Sequence, residues 1–404
     1  MDEPARSEKR LPAMKSVTAP AASANRSSTL EVKALAIDDA RELWQTFSNS
    51  DAYGVAQTWQ WVSAWAEHVN PQVIVGAIFI DGQPALLLPL EIVRDRFCTV
   101  ARYVGGTHAN ANFPVLRAGA DADISPFWAR ALCAEIRRAF PQIDAIILTR
   151  QMRELCAMRN PMLALDTVES PNLALSFAIR SDFETLIKDR SGARKLKKMR
   201  QQARRMDERG GWECLVAADS ASVDEFLGAF FVMKRKRFDE FGLADVFAEP
   251  RVKDFFRTLF RQAAGSKTPM FQLDALRVGG EVFAVTGSSL RHQTSIAEFA
   301  AVRAHEPTLS PGDFLFHQMI KKACEDKLAL FDFGVGDELY KRAWCDIETH
   351  HADSVAGLGM RGKAYAAMFR AVSKGKLAFK RSEFLMGQLK KWRMRSAPKE
   401  NAED

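Results

Sequence analysis

Two strand–turn–strand segments of the same design limit most strongly what this chain can fold into. Each has two apolar runs around a two-residue turn: 73–80, Asp81-Gly82 and 84–90 in the first, and 271–277, Gly279-Gly280 and 282–289 in the second. Asp-Gly and Gly-Gly between apolar runs are typical of β-hairpins, because tight hairpin turns need residues that accept positive φ. Helical patterns lie on both sides of each segment. We therefore predict two copies of one α/β fold, joined near residues 166–171.

Length and composition agree with this duplication. The chain has 404 residues, of which 47% are hydrophobic and 26% charged. This composition is ordinary for a globular protein. A length of 404 residues is more than a single core usually supports. We predict domains at 30–168 and 169–385, each a mixed, mostly antiparallel sheet flanked by helices. Residues 1–29, rich in Ala, Ser and Pro, are predicted to be a disordered leader, and 386–404 a basic, disordered tail.

The charge of the chain favours anionic partners. Its formal net charge is +7, which leaves anionic lipid, a polysaccharide precursor and a phosphorylated cofactor open. Nucleic-acid binding is not expected, because no recognisable module for it occurs. Between residues 361 and 395, basic residues alternate with aromatic ones. This pattern favours contact with an anionic membrane surface, and a solvated basic face is the alternative.

Cysteine and histidine usage indicates a reduced, metal-free protein. The six cysteines show no CxxC spacing and mostly lie in apolar patterns, so we predict reduced, buried thiols. No HExxH or Cys/His ligand spacing occurs, so no metal site is predicted. No apolar run is long enough to span a membrane, and the first residues lack a signal-peptide core. We expect a cytoplasmic protein, with peripheral contact at the inner membrane face.

The segment from residue 309 to 344 carries the strongest functional signal. It predicts a Ser-Pro-Gly turn, an amphipathic helix, a short buried strand and a glycine-broken loop. Ser310 is a natural N-cap, Pro311 suits the first helical turn, and Gly312 lets a ligand approach the backbone. A phosphate could lie at this helix start. Asp313 opposes that idea by its charge, and a plain capped helix is the alternative.

These motifs together resemble a known family. The run SPGDFLFHQMIKKACEDKLALFDFGVGDELYKRAW is similar to the C-terminal signature of GNAT-superfamily acyltransferases of the CelD/BcsL group. QTWQWVSAW followed by DGQPALLLPL resembles the opening of that family, and RSGARKLKKMRQQARRMDERGG resembles the basic helix that begins its second domain. The resemblance covers roughly residues 31–385. It extends more distantly to the FemABX peptidyltransferases, which pair two GNAT-like domains and attach amino acids to peptidoglycan precursors.

The resemblance implies two tandem GNAT-like domains and an acyl-coenzyme A donor, acetyl-coenzyme A or another acyl form, with no metal. It places the donor pyrophosphate at Ser310, Pro311 and Gly312. Residues 108–112, His-Ala-Asn-Ala-Asn, depart from the Ser-Asp-Tyr-like stretch of many relatives. The resemblance therefore leaves the acceptor open, since this departure lies in the half expected to bind it.

Three residues are the predicted catalytic groups. Glu298 lies on an apolar strand, where burial raises a carboxyl pKa and suits it to remove a proton from an amine. A pairing with Arg303 is the alternative. Tyr340 is predicted to serve the leaving thiolate, and Lys341 to hold an anionic part of the substrate. A surface lysine beside a packed tyrosine is the structural alternative.

Five further residues are predicted to bind substrate. Asp332 and Asp337 belong to the glycine-broken loop, where they fix the loop by hydrogen bonds or contact the substrate. The others are predicted to line an acceptor cleft between the domains: Trp61, His108 and Asn110. Aromatic faces suit sugar rings, although a core position is the alternative for the tryptophans near residue 61.

The sequence thus predicts acyl transfer from acyl-coenzyme A to a small-molecule or lipid-linked sugar acceptor, an amino sugar or another envelope or exopolysaccharide precursor. Two alternatives stay open. One is a FemABX-like transferase that uses aminoacyl-tRNA, the one case in which a nucleic acid would bind. The other is a non-catalytic adaptor at the membrane surface in polysaccharide biosynthesis.

Overall fold

The structure is a computed structural model that describes residues 29–48, 50–304, 306 and 308–381. The predicted leader, apart from residue 29, and the predicted tail 386–404 lie outside the described residues. In the described part, no helix is long and apolar enough to cross a membrane.

Strands and helices alternate along the described chain. The strands are β1 Leu30–Ala36, β2 Val73–Ile80, β3 Gln83–Arg94, β4 Thr99–Tyr103, β5 Val115–Leu116, β6 Ala145–Gln151, β7 Glu154–Leu155, β8 Met158–Arg159, β9 Asp166–Ala178, β10 Trp212–Val216, β11 Phe271–Val278, β12 Glu281–Arg291, β13 Thr294–Val302, β14 Leu330–Val335 and β15 Ile347–Gly357. The α-helices are α1 Ile37–Ala40, α2 Trp59–His68, α3 Pro126–Ala139, α4 Phe183–Asp207, α5 Ser220–Glu240, α6 Pro250–Ala263, α7 Pro311–Glu325, α8 Leu339–Arg342 and α9 Met360–Arg381.

One mixed sheet runs through the whole described chain. Its strand order is β1-β2-β3-β4-β6-β15-β9-β14-β13-β12-β11-β10, with β5 paired to β3 beside this path. From either edge inward, the pairs are antiparallel three times, then parallel once, at β4–β6 and at β13–β14. Each half then ends on one more antiparallel strand. The two halves therefore repeat one architecture.

The halves exchange their innermost strands. β9 follows the first half in sequence but pairs with β14 of the second, and β15 follows the second half but pairs with β6 of the first. β9 and β15 also pair with each other along the seam. Residues 166–171, predicted to join the two copies, therefore belong to a central strand. The predicted division between residues 168 and 169 falls inside that strand, and the domain boundaries stay a prediction.

The two hairpins confirm the repeat at the level of single residues. Asp81-Gly82 and Gly279-Gly280 all have positive φ, from 51° to 86°, as a two-residue turn of this type needs. In each hairpin the third residue of the returning strand is an extra residue that has no partner opposite it, Ala85 in the first and Phe283 in the second. Such a bulge strengthens the local twist of the sheet.

Helices cover both faces of the sheet. α3 packs on β1 and β2, whereas α5 and α7 both pack on β12 and β13. α5 and α6 belong to an aromatic core with α2, and α4 and α7 form a separate core around Phe177 and Trp344. Helix α9 packs on β9 and β15. It therefore covers the seam where the halves meet.

Three local features complete the fold. The helix after β1 is α-helical only at Ile37–Ala40 and continues as a 3-10 helix to Thr46. After β4, a 3-10 turn begins at residue 106. The basic helix α4 begins at Phe183, where Asp182 caps it by accepting from the Thr185 backbone. Of the six cysteines, two are buried, Cys98 and Cys133, and all are free thiols.

Helix α9 offers a matched pair of glycines that tests how it docks. A Cβ on Gly362 would lie 1.7 Å from the backbone oxygen of Asp144, whereas one on Gly375 would meet nothing within 4 Å. Gly362→Ala should therefore lower the free energy of unfolding by about 1–3 kcal/mol through overpacking. Gly375→Ala should raise it by about 0.5–1 kcal/mol, because alanine is the better helix former. Urea denaturation measures both, and two variants that change stability alike would contradict this docking.

Candidate active site

The site lies where two parallel strands of the second half separate. β13 and β14 pair only from Thr294 to Ile296, opposite Leu330 to Asp332. Beyond this point β13 continues to Val302 while β14 ends at Val335. Asn110 of the first half reaches this region, where its side chain lies against the backbone of Gly334. The first half therefore supplies part of the site.

Glu298 occupies a β-bulge in the middle of β13. Gly287 lies opposite Phe299 and Ser288 opposite Ala297, so Glu298 is the extra residue. Bulges re-aim a side chain and leave the backbone of the extra residue unpaired. The carboxyl accepts from Ser289 Oγ at 2.6 Å and from Asn110 Nδ2 at 2.7 Å. Burial raises the pKa of Glu298 despite these two donors. The alternative partner, Arg303, pairs with Glu281 instead.

A second carboxyl with a raised pKa lies near Glu298. Burial raises the pKa of Asp332 to about 6, although its Oδ1 accepts from the Gly334 backbone at 2.7 Å. Lys341 opposes this rise electrostatically. Lys341 is 5% exposed, and its ammonium donates to the Val335 oxygen at 2.8 Å and lies 3.0 Å from the Glu338 carboxylate. Lys341 therefore holds the glycine-broken loop in place, and its direct contact with a substrate stays a prediction.

Tyr340 lies at the surface of the same site. Its ring stacks on Phe316 of α7 with centroids 5.9 Å apart, and its residue is 46% exposed. Burial of the hydroxyl raises its pKa above the ordinary value. Four residues further on, Trp344 is 2% exposed and stacks on Phe177. The Tyr-Lys-x-x-Trp spacing thus anchors one aromatic ring in the core and leaves the other open to a ligand.

The start of α7 opens into a groove of about 680 Å³. Its lining residues come from α5, the end of β13 and the turn before α7: Arg237, Val302, Arg303, Ala304, Glu306, Ser310, Pro311, Gly312 and Asp313. A Cβ on Gly312 would lie 2.6 Å from Val302, so glycine permits the helix start to approach β13. The first N–H groups of a helix have no intrahelical acceptor. The groove is therefore suited to an anionic group.

Basic residues of α4 and of the turn after it hold this helix start. Lys198 donates to Asp313 at 2.8 Å, Arg205 donates to the Thr308 oxygen at 2.9 Å, and Arg209 donates to Glu306 at 2.7 Å. The negative charge of Asp313, which opposed phosphate binding in the sequence argument, is thus paired. Part of the basic segment that follows Arg190 therefore fixes the turn that precedes α7.

Two of the predicted substrate residues lie in the aromatic core, and a third is held in an exposed ion pair. Trp61 is 1% exposed, and Phe255 and Phe271 pack around its ring, which is the core position left open as the alternative. His108 packs in the same aromatic core, where burial lowers its pKa to about 4. Asp337 is exposed and pairs with Arg342. Asn110, in contrast, contacts Glu298 directly.

Sequence reasoning missed Ser289 and Arg291. They lie two residues apart on β12, and the alternation of a strand places them on the same face. A signal existed in the run Ser288-Ser289, because two adjacent polar residues interrupt an otherwise apolar strand. Arg291 is 8% exposed. A buried arginine at the end of a strand has no signature that distinguishes it from a solvated one.

A comparison with protein families gives a match within the second half of the chain. Residues 193–342 match the family described as an acetyltransferase (GNAT) domain. This match spans the basic helix, the splayed strands, the groove at α7 and Tyr340-Lys341. This segment is therefore similar to a GNAT acetyltransferase domain, and the similarity supports the use of acyl-coenzyme A. The CelD/BcsL group itself is a finer assignment and stays a prediction.

Solved structures extend the fold to the first half. The crystal structure of FemX matches with a TM-score of 0.57 at 10% identity, over 83% of this chain and 99% of that one. A conserved protein of unknown function from Bacteroides thetaiotaomicron matches with a TM-score of 0.51 at 11% identity, over 82% and 100%. No curated protein matches the sequence significantly. With the internal repeat, these findings confirm the predicted mixed α/β fold of tandem GNAT-like halves.

The raised pKa of Asp332 predicts how the free energy of unfolding depends on pH. Because its folded pKa of about 6 exceeds the ordinary 3.8, its protonation stabilises the fold below pH 3.8, and this contribution is lost as pH rises to about 6. Asp332→Asn, which imitates the protonated carboxyl, should match the wild type near pH 4 and be more stable at pH 7. Urea denaturation from pH 4 to 7 measures the difference. A constant difference across this range would contradict a raised pKa.

Proposed function

We propose that this protein transfers an acyl group, acetyl in the simplest case, from acyl-coenzyme A to an amine or hydroxyl of an amino sugar or another envelope or exopolysaccharide precursor. The observation that carries the proposal is the Glu298 bulge. It puts a carboxyl of raised pKa beside splayed strands, in the segment that matches the GNAT domain. The CelD/BcsL resemblance of the α7–α8 segment supports the precursor class.

Donor binding is assigned to the groove at α7. The helix start at Ser310, Pro311 and Gly312 would receive the donor phosphates, because its N–H groups and dipole favour negative charge. Arg237 would add a cation from the opposite wall, since it lines the same groove. The acyl end of the donor would then extend along β13 toward the bulge.

Each residue of the site has one proposed chemical role. Glu298 takes the proton from the acceptor amine as the nitrogen attacks the thioester carbonyl, and backbone N–H groups of β13, beyond its pairing with β14, would stabilise the oxyanion. Tyr340 donates its hydroxyl proton to the sulfur as the carbon–sulfur bond breaks. No covalent enzyme intermediate forms. Ser289 and Asn110 orient the Glu298 carboxylate through their hydrogen bonds.

A donor other than coenzyme A is the second candidate. The similarity to FemX favours an aminoacyl-tRNA donor on the same fold, as the FemABX resemblance implied. Release of free tRNA that depends on this protein would support that candidate. The adaptor alternative instead requires that Tyr340→Phe and Lys341→Ala leave cellular function intact while charge reversal within residues 370–395 abolishes it.

Calorimetric titration with acetyl-coenzyme A tests the donor. We expect binding by the wild type and about tenfold weaker binding by Arg237→Gln, since one charge-assisted hydrogen bond contributes about 1.5 kcal/mol. Arg261→Gln is the matched control, because Arg261 pairs with Asp224 away from the groove. Absence of heat with acetyl-coenzyme A and with every longer acyl-coenzyme A would rule the donor out.

Replacement of Glu298 tests the chemistry. Glu298→Gln should lower kcat by about 10²–10⁴-fold, the usual contribution of a general base, with donor affinity retained. The wild-type rate should fall as pH decreases through a pKa above 4.5, and the variant should lack this limb. Thiol release reports the rate. Glu281→Gln, at the exposed start of β12, is the control, and equal loss in both variants would argue against Glu298 as the base.

A further inference from the structure

Arg291 is a buried cation with unpaired N–H donors. It ends β12, is 8% exposed, and its Nε and Nη1 atoms have no hydrogen-bond partner among the residues that the structure describes. No ion pair joins it to a carboxylate of that part of the chain, and Glu298 and Asp332 act on it only through space. Buried donors without acceptors oppose folding. Such a guanidinium is well suited to a planar oxyanion, which it can bind through two parallel hydrogen bonds.

Both halves of the protein surround Arg291. Its guanidinium carbon lies 5.7 Å from the ring centre of Tyr53, which belongs to the first half. Tyr53 in turn contacts His292, with ring centres 5.1 Å apart, and His292 Nε2 also lacks a hydrogen-bond partner among the described residues. The exposed thiol of Cys156, at the β7–β8 turn, lies within electrostatic range. Two unpartnered polar side chains thus meet at the junction of the halves.

Arg291 lies on the side of Glu298 that faces away from the donor groove. It shares a face of β12 with Ser289, which donates to Glu298, and two residues along a strand span about 7 Å. Arg291 pairs with Thr294, and Val302 of the groove lies eight residues further along β13. That distance is about 26 Å at 3.3 Å per residue. Arg291 and the donor groove therefore occupy opposite ends of β13, with Glu298 between them.

We propose that Arg291 binds an oxyanion, a carboxylate or a phosphate, carried by the acceptor, and that Tyr53 and His292 complete this subsite. The acceptor is then an anionic amine. Its charged group lies at Arg291 while its nitrogen lies at Glu298. The acceptor assignment rests on the proposed acyl transfer, whereas anion binding by Arg291 does not.

Thermal denaturation with inorganic anions tests the subsite without any assumption about catalysis. Phosphate and acetate are each compared with chloride at equal ionic strength. At least one of them should raise the melting temperature of the wild type and of Arg237→Gln, the groove variant, but not that of Arg291→Met. An undiminished response of Arg291→Met to the anion, or no response of the wild type to either anion, would overturn the subsite.

Matched acceptors test the link to acyl transfer. Glucosamine 6-phosphate is compared with glucosamine, and β-alanine with β-alaninamide, through thiol release from acetyl-coenzyme A. In at least one pair the wild type should favour the anionic member by about tenfold or more in kcat/KM. Arg291→Lys keeps the charge but loses the planar fork, so it should reduce that preference several-fold.

The outcomes separate the two proposals. No preference within either pair, with acetyl-coenzyme A bound, would overturn the acceptor assignment and leave the acyltransferase standing. If acetyl-coenzyme A does not bind, the proposed function fails, and the response of the melting temperature to the anions still decides whether Arg291 forms an anion subsite.

Discussion

The antiparallel pairing of β9 with β15 is the constraint on which the rest of the structure depends. Each of these strands follows one half in sequence and completes the other half in space. The two GNAT-like halves therefore share one hydrogen-bonded sheet, and neither can separate without breaking it. This fixed arrangement lets Asn110 of the first half reach Glu298 of the second and bond its carboxyl. A site divided between two mobile domains would not hold such a contact at constant geometry.

Much of this fold could be predicted from local pattern. The hairpin turns at Asp81-Gly82 and Gly279-Gly280, the strand Thr294–Val302 and the helix that begins at Pro311 all follow from period and turn chemistry. The exchange of β9 and β15 could not, because a period-2 pattern says that a strand exists and nothing about its neighbour. Residues 166–171 were predicted to join the halves, but they belong to β9, and Pro171 lies at an irregularity in the β9–β15 ladder.

The candidate site, like the fold, could be predicted where it depends on local pattern. It could not be predicted where it depends on contacts between residues distant in sequence. Glu298 was recognisable as a carboxyl on an apolar strand, and the structure adds the bulge that turns it and the donors that orient it. Those donors come from Ser289 and Asn110, which are 9 and 188 residues away in sequence. No spacing rule connects positions so far apart. Trp61 was predicted to contact a sugar because its side chain is aromatic. Its neighbours, contributed by α6, place it in the core instead.

The charged residues of the second half influence one another's ionisation. The cations of α4 neutralise Asp313 and hold the turn before α7, so the start of that helix keeps its preference for an anion. Lys341 and Arg291 both favour the ionised form of Asp332, while burial opposes it. Glu298 experiences the same balance, with Arg291 lowering its pKa and Asp332 raising it. An anion bound at Arg291 would weaken the effect by which Arg291 lowers the pKa of Glu298. The effect by which Asp332 raises that pKa would remain. The pKa of Glu298 would then rise further when the acceptor binds, and its carboxylate would become a stronger base at the moment when the amine arrives.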